Sequence, residues 1–456
     1  MASGAERPTS EAPHRRALGK LSLIGATLLA LTLAGPPVHA RLGDLAFIAL
    51  AVTQGLLVLL ATRLAGGCRE RQGLAVVLGV ALALRLALLF VPPHLSTDAY
   101  RYVWDGRVQG AGINPYRHVP EAPALEALRD EAVFPRINRR DYAVTIYPPA
   151  AQMLFALVNR VSDGLLAMKL ALVACEAATV AVLLDLLRRL GRPAVRVVAY
   201  AWHPLAVWEI AGNAHIDAAM LAAMVLGLWL ALVPGRRLIA AGVLAVAALL
   251  KPFAVLALSA VWQPRRHRGD WRAPAVALAV AALLYTPYLS VGAGVLGFLP
   301  TYLGEEHIDT GGGFWLVAAL QHFAGPVAWA PPLYMAAGTV LVGGLALAVA
   351  FGRDQGLEAK LRRLFWLLFA FLMLLSPNLP WYYLALVPFV ALFGPAPGWA
   401  ATICCFVLYD VVWTDAAIDF AVRDTVLNLT VLIAVVVALR PRRTLPATEP
   451  LEISRR

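Results

Sequence analysis

Residues 94–107 read His-Leu-Ser-Thr-Asp-Ala-Tyr-Arg-Tyr-Val-Trp-Asp-Gly-Arg. They open the longest polar segment of the chain, which continues to Gln152, and apolar runs lie on both sides of it. Charged side chains at a membrane boundary are costly and are usually kept for a function. We therefore expect a membrane protein whose functional residues are concentrated in this segment.

The composition supports this interpretation. Of the 456 residues, 60% are hydrophobic and 15% are charged, whereas soluble domains carry about 25% charged residues. The apolar residues form continuous runs, which are typical of transmembrane helices, and do not alternate as they do in barrel strands. We predict an all-α fold, a polytopic transmembrane helical bundle of about 12–14 helices.

About 12 apolar runs are long enough to cross a membrane, because each crossing needs about 20 residues. The runs lie at residues 21–39, 45–64, 74–92, 164–187, 195–211, 217–234, 273–290, 326–352, 364–377, 381–394, 397–413 and 424–439. Run 238–262 is divided by Lys251-Pro252, and run 148–161 is short, so we expect neither to cross as one helix.

Basic residues indicate the orientation, because Lys and Arg in short loops favour the cytoplasmic side. The basic clusters at residues 63–71, 188–196 and 440–443 all fall on one side of the predicted spans. That side is therefore predicted to be cytoplasmic, with both termini on it. The loop 93–147 then lies on the external face.

The predicted domain organisation follows from these spans. Residues 1–20 are expected to form a disordered cytoplasmic tail, residues 21–440 the membrane domain, and residues 441–456 a second cytoplasmic tail. The net charge of +11 does not indicate a nucleic-acid partner, because the basic residues lie in the short loops between spans. The four cysteines are scattered without metal-site spacing and predict neither a zinc site nor a disulfide framework.

Two carboxylates stand out in the polar loop. Asp98 follows the third apolar run, and Asp105 comes seven residues later, so on a helix the two would share a face. Arg101 and Arg107 are close enough in sequence to pair with them. A carboxylate positioned by an arginine suits a general base, and an arginine suits a phosphate. An interfacial helix with ordinary ion pairs is the alternative.

Further polar residues occur at helix boundaries. His215 and Asp217 lie in Asn213-Ala-His-Ile-Asp217, where they could polarise a hydroxyl or bind a metal as a sparse pair. Asp217 could equally cap a helix. Lys251 lies at the break before a proline, where a cation could meet a phosphate. Charged or titratable residues inside apolar runs are candidates for function or for pairing with each other. They are Arg85, Lys169, Glu176, His203 and Glu209.

Three other segments of the predicted external regions contain recognisable sequence patterns. Residues 112–117, Gly-Ile-Asn-Pro-Tyr-Arg, predict a turn. Arg136, Arg139 and Arg140 form a basic cluster that could serve an anionic ligand or a lipid headgroup, or could simply be solvated. The acidic loop at residues 305–309 could bind an acceptor sugar, and a plain solvated loop is the alternative.

The order of several motifs resembles that in bacterial GT-C glycosyltransferases, and most closely the polyprenyl-phosphate-mannose-dependent mannosyltransferases of actinobacterial type. The motifs are Asp98-Ala-Tyr-Arg-Tyr-Val-Trp-Asp-Gly-Arg-Val-Gln109, Gly112-Ile-Asn-Pro-Tyr116, Tyr147-Pro-Pro149, His203-Pro-Leu205, Asn213-Ala-His-Ile-Asp217, Lys251-Pro-Phe253 and Pro380-Trp-Tyr-Tyr383. The resemblance runs from about residue 74 to residue 395.

This resemblance implies a multi-span enzyme of the bacterial plasma membrane whose active site lies at the external face. It implies an inverting transfer of a hexose, in the first place mannose, from a polyprenyl-phosphate donor to a glycan or glycolipid acceptor. The catalytic acid of the family maps onto Asp98. Because Thr97-Asp98 replaces a doubled acidic pair, the need for a divalent cation and the role of Asp105 stay open.

The sequence thus predicts Asp98 and Asp105 as catalytic candidates. The predicted substrate-binding residues are Arg101, Arg107, Tyr147, Gln152, His215, Asp217, Lys251, Trp381 and Tyr382. The main alternative function is a transporter or flippase of lipid-linked sugars, which would also contain broken helices and intramembrane charges.

Overall fold

The computed structural model describes residues 11–265, 271–308, 310–352, 356–409 and 416–440. No strand occurs in this part of the chain, so the predicted all-α fold is confirmed. The α-helices are α1 (Glu11–Ala65), α2 (Glu70–Leu89), α3 (Asp98–Gly110), α4 (Pro149–Val161), α5 (Leu165–Arg189), α6 (Val198–Ala201), α7 (Pro204–Ala206), α8 (Asp217–Leu230), α9 (Arg237–Leu250), α10 (Arg272–Tyr285), α11 (Leu299–Glu305), α12 (Trp315–Ala324), α13 (Ala330–Phe351), α14 (Gly356–Leu375), α15 (Val387–Phe393), α16 (Ala396–Cys404) and α17 (Ala416–Leu439).

Short helical segments of other types connect these helices. A π-helix covers Val207–Gly212. The 3-10 helices are Pro123–Leu128, Phe134–Arg136, Ala194–Val197, Pro252–Ala260, Thr286–Leu296, Pro380–Leu386 and Cys405–Tyr409. Several runs that were predicted as single spans are therefore divided, and run 195–211 is divided beside Pro204, whose missing amide interrupts the helical hydrogen bonds.

Helix α1 is a hairpin of two antiparallel arms. Gly43 has a φ of 77°, which glycine adopts readily, and the chain reverses there. His14 Nδ1 lies 2.7 Å from the carbonyl oxygen of Gly67, and Gln54 Nε2 donates a 2.9 Å hydrogen bond to Thr32 Oγ1. The arms contain the two predicted runs 21–39 and 45–64. The predicted disordered tail is wrong for residues 11–20, which are helical.

Five helical segments are long and apolar enough to cross a membrane among the residues described. They are Ala12–Ala65, Glu70–Leu89, Leu165–Arg189, Arg272–Glu305 and Ala330–Phe351. Shorter apolar helices accompany them. Helix α4 has 13 residues and a length of about 20 Å, which is less than the ~30 Å hydrocarbon core. The expectation that run 148–161 is too short for a full crossing agrees with this length.

The break at Lys251-Pro252 is confirmed. Helix α9 ends at Leu250, and Lys251 is extended with φ −149° and ψ 119° before the 3-10 helix starts at Pro252. Proline disfavours helical backbone in the residue before it, which explains the extended Lys251. The break turns the lysine out of the helical register and allows its side chain to reach a neighbouring helix.

The core of the protein is centred on residues 197–221, in which every side chain is buried. Two of the charged side chains inside the apolar runs have close partners near this core. Arg85 Nε donates a 3.1 Å hydrogen bond to Glu176 Oε2 and so joins α2 to α5. Lys169 Nζ donates to the carbonyl oxygens of Leu88 and Val91 at 2.7 and 2.6 Å. These contacts join neighbouring helices.

The polar loop is anchored to this core by α3. Tyr102 stacks on Phe155 of α4 with ring centroids 4.6 Å apart, and Trp104 is also buried. Burial of such a side chain stabilises a fold by roughly 1.5–3 kcal/mol. Gly106 allows the close approach of α3 and α4, because a Cβ at this position would lie 2.6 Å from the carbonyl oxygen of Phe155. The loop residues near α3 are thus held rigidly.

Candidate functional site

A cavity of about 730 Å³ lies beside the N-terminus of α3. Its walls come from the polar loop 96–148, from residues 216–217 at the start of α8, from residues 250–253 at the break after α9, and from residues 285–308 and 371–382. Cavities of this size hold drug-sized ligands. Distant parts of the sequence therefore meet at one site.

The sequence predicted two catalytic and nine substrate-binding residues, and seven of these eleven line the cavity. They are Asp98, Arg101, Tyr147, Asp217, Lys251, Trp381 and Tyr382. The other four, Asp105, Arg107, Gln152 and His215, do not line it. A ligand in the cavity can therefore contact seven of the candidates, and the other four lie behind or beside the cavity wall.

Asp98 lies at the first position of α3 and its side chain is 20% exposed. Asn138 Nδ2 donates a 3.0 Å hydrogen bond to Asp98 Oδ1. The other carboxylate oxygen, Oδ2, lies 3.8 Å from His215 Nδ1. No lysine or arginine of the described chain forms an ion pair with Asp98. Its carboxylate is therefore oriented by a neutral amide while one oxygen stays available to a ligand.

His215 lies behind Asp98 and Trp381. Its ring stacks on the Trp381 indole with centroids 4.0 Å apart, and its side chain is 1% exposed. On its far side, Nε2 lies 3.3 Å from Glu209 Oε2. Tyr409 donates a 2.7 Å hydrogen bond to the other oxygen of Glu209. A buried chain of polar groups thus leads from Asp98 into the core.

The Asn213–Asp217 motif is held in an unusual backbone conformation. Ala214 has a φ of 58°, which is uncommon for a residue with a Cβ. Backbone strain of this kind occurs mainly at functional sites. Asn213 Oδ1 accepts a 3.2 Å hydrogen bond from the amide of Leu95, at the start of the polar loop. This arrangement fixes the position of Asp98 relative to His215.

Lys251 reaches the cavity across the break after α9. Its Nζ lies 2.7 and 2.8 Å from the two carboxylate oxygens of Asp217, and the side chain is 12% exposed. Nζ also lies 4.1 Å from the centroid of the Tyr382 ring, within the range of a cation–π interaction. An ammonium has three N–H donors, so one remains for a ligand.

Asp105 belongs to a different, buried network. Arg101 Nε donates a 2.8 Å hydrogen bond to Asp105 Oδ1, and Gln152 Nε2 donates one of 2.8 Å to Oδ2. The hydroxyl of Thr145 also donates to Oδ2. Asp105 is only 1% exposed. The carboxylate is therefore fully engaged, and through it the Arg101 guanidinium is held at the cavity wall.

Arg107 points away from the cavity. It donates hydrogen bonds to Asp163 at 2.9 Å and to Asp130 at 2.8 Å. Burial raises the pKa of the Asp130 carboxyl, but hydrogen bonds from Arg107 and from the amides of Val133 and Phe134 outweigh burial and hold the pKa below its ordinary value. This ion-pair cluster ties the end of α3 to the polar loop at Asp130 and to the segment between α4 and α5 at Asp163.

Several cavity residues were not singled out from the sequence. Asn138, Tyr302 and Tyr102 line the cavity, and polar residues of these types are too common to be recognised in one sequence. For Arg139 and for the acidic loop, the sequence left two interpretations open, which are ligand binding and a solvated surface.

Arg139 and the acidic loop meet in the structure. Arg139 Nε donates a 2.7 Å hydrogen bond to Glu305 Oε2. Burial lowers the pKa of the Arg139 guanidinium, but this bond outweighs burial and raises the pKa above its ordinary value. Glu306 lines the cavity and accepts a 3.3 Å hydrogen bond from Asn378. Asp309 lies outside the described residues.

The structure offers no clear set of cation ligands. Among the described residues, no three His, Cys, Asp or Glu side chains are grouped closely enough to hold a metal ion. Asp98 and His215 are neighbours, but Asp217 is engaged with Lys251.

A comparison with known protein families identifies the family of this chain. Residues 21–264, more than half of the 456-residue chain, match the family model described as alpha-(1->6)-mannopyranosyltransferase, N-terminal domain. The match contains Asp98, Asp217 and Lys251. No curated protein and no solved structure matches the chain. The chain is a helical membrane protein that belongs to the alpha-(1->6)-mannopyranosyltransferase family, a family of mannosyl-transferring glycosyltransferases.

Proposed function

We propose that this protein transfers mannose from a polyprenyl-phosphate donor to a sugar hydroxyl of a glycan or glycolipid acceptor at the external face of the bacterial plasma membrane. The observation that carries the proposal is the state of Asp98. Its carboxylate faces the cavity without a Lys or Arg partner in the described chain. The neighbouring carboxylates Asp105 and Asp217 are each paired with a cation.

Asp98 acts as the general base in this mechanism. The acceptor hydroxyl donates a hydrogen bond to the free oxygen of Asp98, and the carboxylate takes the proton as the hydroxyl oxygen attacks the anomeric carbon. The bond between that carbon and the phosphate oxygen breaks, and the bonding electrons leave with the polyprenyl phosphate. One displacement of this kind inverts the anomeric configuration.

His215 is a positioning residue in the same proposal. Asn138 holds Oδ1 of Asp98, and His215 lies against Oδ2 with Glu209 on its other side. This backing restricts the carboxylate to one orientation. A base that is held in place acts efficiently, because misplacement of a catalytic group by about 1 Å can cost a factor of about 10² in rate.

Lys251 is proposed to hold the phosphate leaving group. Negative charge develops on the phosphate as the glycosidic bond breaks, and a fixed cation in a partly dry site stabilises that charge. Asp217 and the Tyr382 ring keep the ammonium at the cavity wall. The guanidinium of Arg101, which Asp105 holds at the same cavity, supplies a second cation for the phosphate.

The apolar part of the cavity fits a lipid chain. Its residues include Leu296, Leu299 and Leu303, which follow α10, and Phe371 and Leu375 of α14. Leu296 and Leu303 are 53% and 41% exposed, so this wall faces the surroundings as well as the cavity. A polyprenyl chain could therefore extend into lipid while its sugar phosphate stays next to Asp98.

The external orientation is tested with cysteine labelling. Ala124 is exposed in the loop 93–147, and Arg188 is exposed at the end of α5 on the side predicted to be cytoplasmic. Ala124→Cys should react with an impermeant thiol reagent in intact cells, and Arg188→Cys should react only after lysis. The reverse pattern would contradict the external site.

The activity is tested with purified protein and radiolabelled polyprenyl-phosphate mannose. The family description gives an α-(1→6) linkage. An α product formed with inversion requires a β-linked donor, so the β-linked donor should be used and the α-linked donor should not. Movement of label between the leaflets of a vesicle without transfer to an acceptor would instead support the flippase alternative.

A further inference from the structure

A second cavity of about 630 Å³ lies on another side of α3. It is lined by residues at the end of α3, by the turn 112–117, by α4 and by residues 287–290. It shares no lining residue with the Asp98 cavity. The proposed reaction uses neither this cavity nor the turn 112–117.

The turn 112–117 forms a hydrogen-bonded wall of this cavity. Gly112 adopts a φ of 76°, which permits the sharp change of direction after α3. Asn114 Oδ1 accepts a 3.1 Å hydrogen bond from the amide of Tyr116, and Asn114 Nδ2 donates 3.0 Å bonds to the Tyr288 carbonyl and the Ser290 hydroxyl. The turn is thereby fixed to the segment after α10, and the shape of the cavity is built in.

Two arginines give this cavity a positive charge. Arg117 comes from the turn and Arg160 from the end of α4, and no acidic residue lines the cavity. In the described part of the chain, no hydrogen bond or ion pair joins either guanidinium to another residue. By contrast, Arg101 and Arg139 of the polar loop each have a carboxylate partner. Two unpaired guanidinium groups at one cavity are suited to an anion such as a phosphate.

The remaining lining of the second cavity is largely apolar. It includes Ile113, Pro115, Met153, Ala156 and Leu157. Leu157 is 59% exposed. Pro287 lies within Arg272–Glu305, a segment apolar and long enough to cross a membrane. Lipid can therefore lie against the same surface that carries the two arginines.

We propose that the second cavity binds an anionic membrane phospholipid, with its phosphate between Arg117 and Arg160 and its acyl chain along α4. The apolar lining favours a lipid over free phosphate, because inorganic phosphate would leave this surface unfilled. The site is independent of the transfer reaction, since no residue of it lines the Asp98 cavity. Its ligand is bound and is not chemically changed.

The test is binding of short-chain phosphatidylglycerol to the full-length protein in neutral detergent, measured by isothermal titration. The paired change Arg117→Gln with Arg160→Gln should weaken binding by at least about 10-fold, because hydrogen bonds to charged groups are lost. The matched control is Arg136→Gln with Arg140→Gln, which removes the same charge from residues that line neither cavity. The control should bind like wild type.

Titrations with other ligands distinguish a lipid phosphate from free phosphate. Inorganic phosphate should bind far more weakly than phosphatidylglycerol, and zwitterionic phosphatidylcholine should also bind more weakly. Arg117→Lys with Arg160→Lys should retain part of the affinity, and this variant serves if the glutamine variant fails a thermal-shift check of folding. Equal binding of free phosphate, or an equal loss in the control, would overturn the proposal.

Discussion

Helix α3 carries two carboxylates in contrasting surroundings. Asp98 is 20% exposed to the cavity and is oriented by the Asn138 amide. Asp105 is buried and shares its oxygens among Arg101, Thr145 and Gln152. The two residues lie about 10 Å apart along the helix axis, since seven residues rise by ~1.5 Å each. They cannot act on the same atom of a substrate without rearrangement.

The contrast shows that two carboxylates on one helix can differ completely in their hydrogen-bond partners. A carboxylate that is saturated by a cation and two neutral donors has no oxygen left for an acceptor hydroxyl. Such a buried ion pair is costly to break, because the remaining charge is left without a partner. We therefore expect changes at Asp98 to affect turnover and changes at Asp105 to affect stability.

The largest effect is expected for Asp98→Asn. The amide keeps the shape of the side chain and cannot accept the proton, so turnover should fall by roughly 10²–10⁴-fold. The affinity for the donor should be retained, since the proposed phosphate contacts lie at Lys251 and Arg101. Transfer of radiolabelled mannose and donor binding, both in one nanodisc preparation, measure the two quantities.

Glu306→Gln is the matched control for this change. Glu306 is a second carboxylate of the cavity, and it forms no ion pair with a Lys or Arg of the described chain. The control should retain most of the turnover. Near-normal turnover of Asp98→Asn together with a large loss in Glu306→Gln would move the general base to the acidic loop.

The next effect is expected for Asp105→Asn. Removal of one partner from a buried ion pair costs about 3–5 kcal/mol, so the protein should unfold at a clearly lower temperature. Turnover per folded molecule should fall far less than in Asp98→Asn, through the displaced Arg101. Thermal unfolding and turnover of the folded fraction separate these effects. A stable Asp105→Asn protein without turnover would identify Asp105 as the base.

A smaller effect is expected for Lys251→Met. Loss of a charged hydrogen bond to the phosphate should weaken donor binding by roughly 10-fold or more. Lys251→Arg should retain part of the affinity. Because the methionine also leaves Asp217 unpaired, the control is Lys251→Met with Asp217→Asn, which removes both charges. Wild-type donor affinity in this double variant would show that the ion pair only holds α8 and α9 together.

The smallest effect is expected for Arg107→Gln. Its ion pairs with Asp130 and Asp163 are partly exposed, so the loss of stability should be about 1 kcal/mol or less. Turnover should stay normal.

The effect of Arg107→Gln should depend on pH. Because Arg107 lowers the pKa of Asp130, the ion pair stabilises the fold above the pKa that Asp130 has in the unfolded chain, and this stabilisation is lost as the pH falls through the pKa of the folded state. The difference in unfolding temperature between variant and wild type should therefore be larger at pH 7 than at pH 3. A large loss of turnover would instead place Arg107 in the active site.

Much of the architecture follows from local sequence patterns. Continuous apolar runs predicted the helical bundle because lipid leaves backbone groups no other partners than their own helix. Lys251-Pro252 predicted the break after α9, because proline acts on its immediate neighbours. The polar loop was predicted to hold the functional residues because its charges are unusual next to apolar runs. These inferences need only neighbouring residues in the chain.

The sequence by itself determined the fold class, the position of the polar loop and seven of the residues that line the cavity beside it. Only the tertiary structure decided which of the two carboxylates is free. Thr145 and Gln152, which donate to the second oxygen of Asp105, lie 40 and 47 positions further along the chain, and Asn138 lies 40 positions beyond Asp98. The tertiary structure also placed His215 behind Trp381 and joined Arg139 to Glu305, 166 residues away. Pairing of charges depends on distances in space, and a single sequence contains no record of those distances.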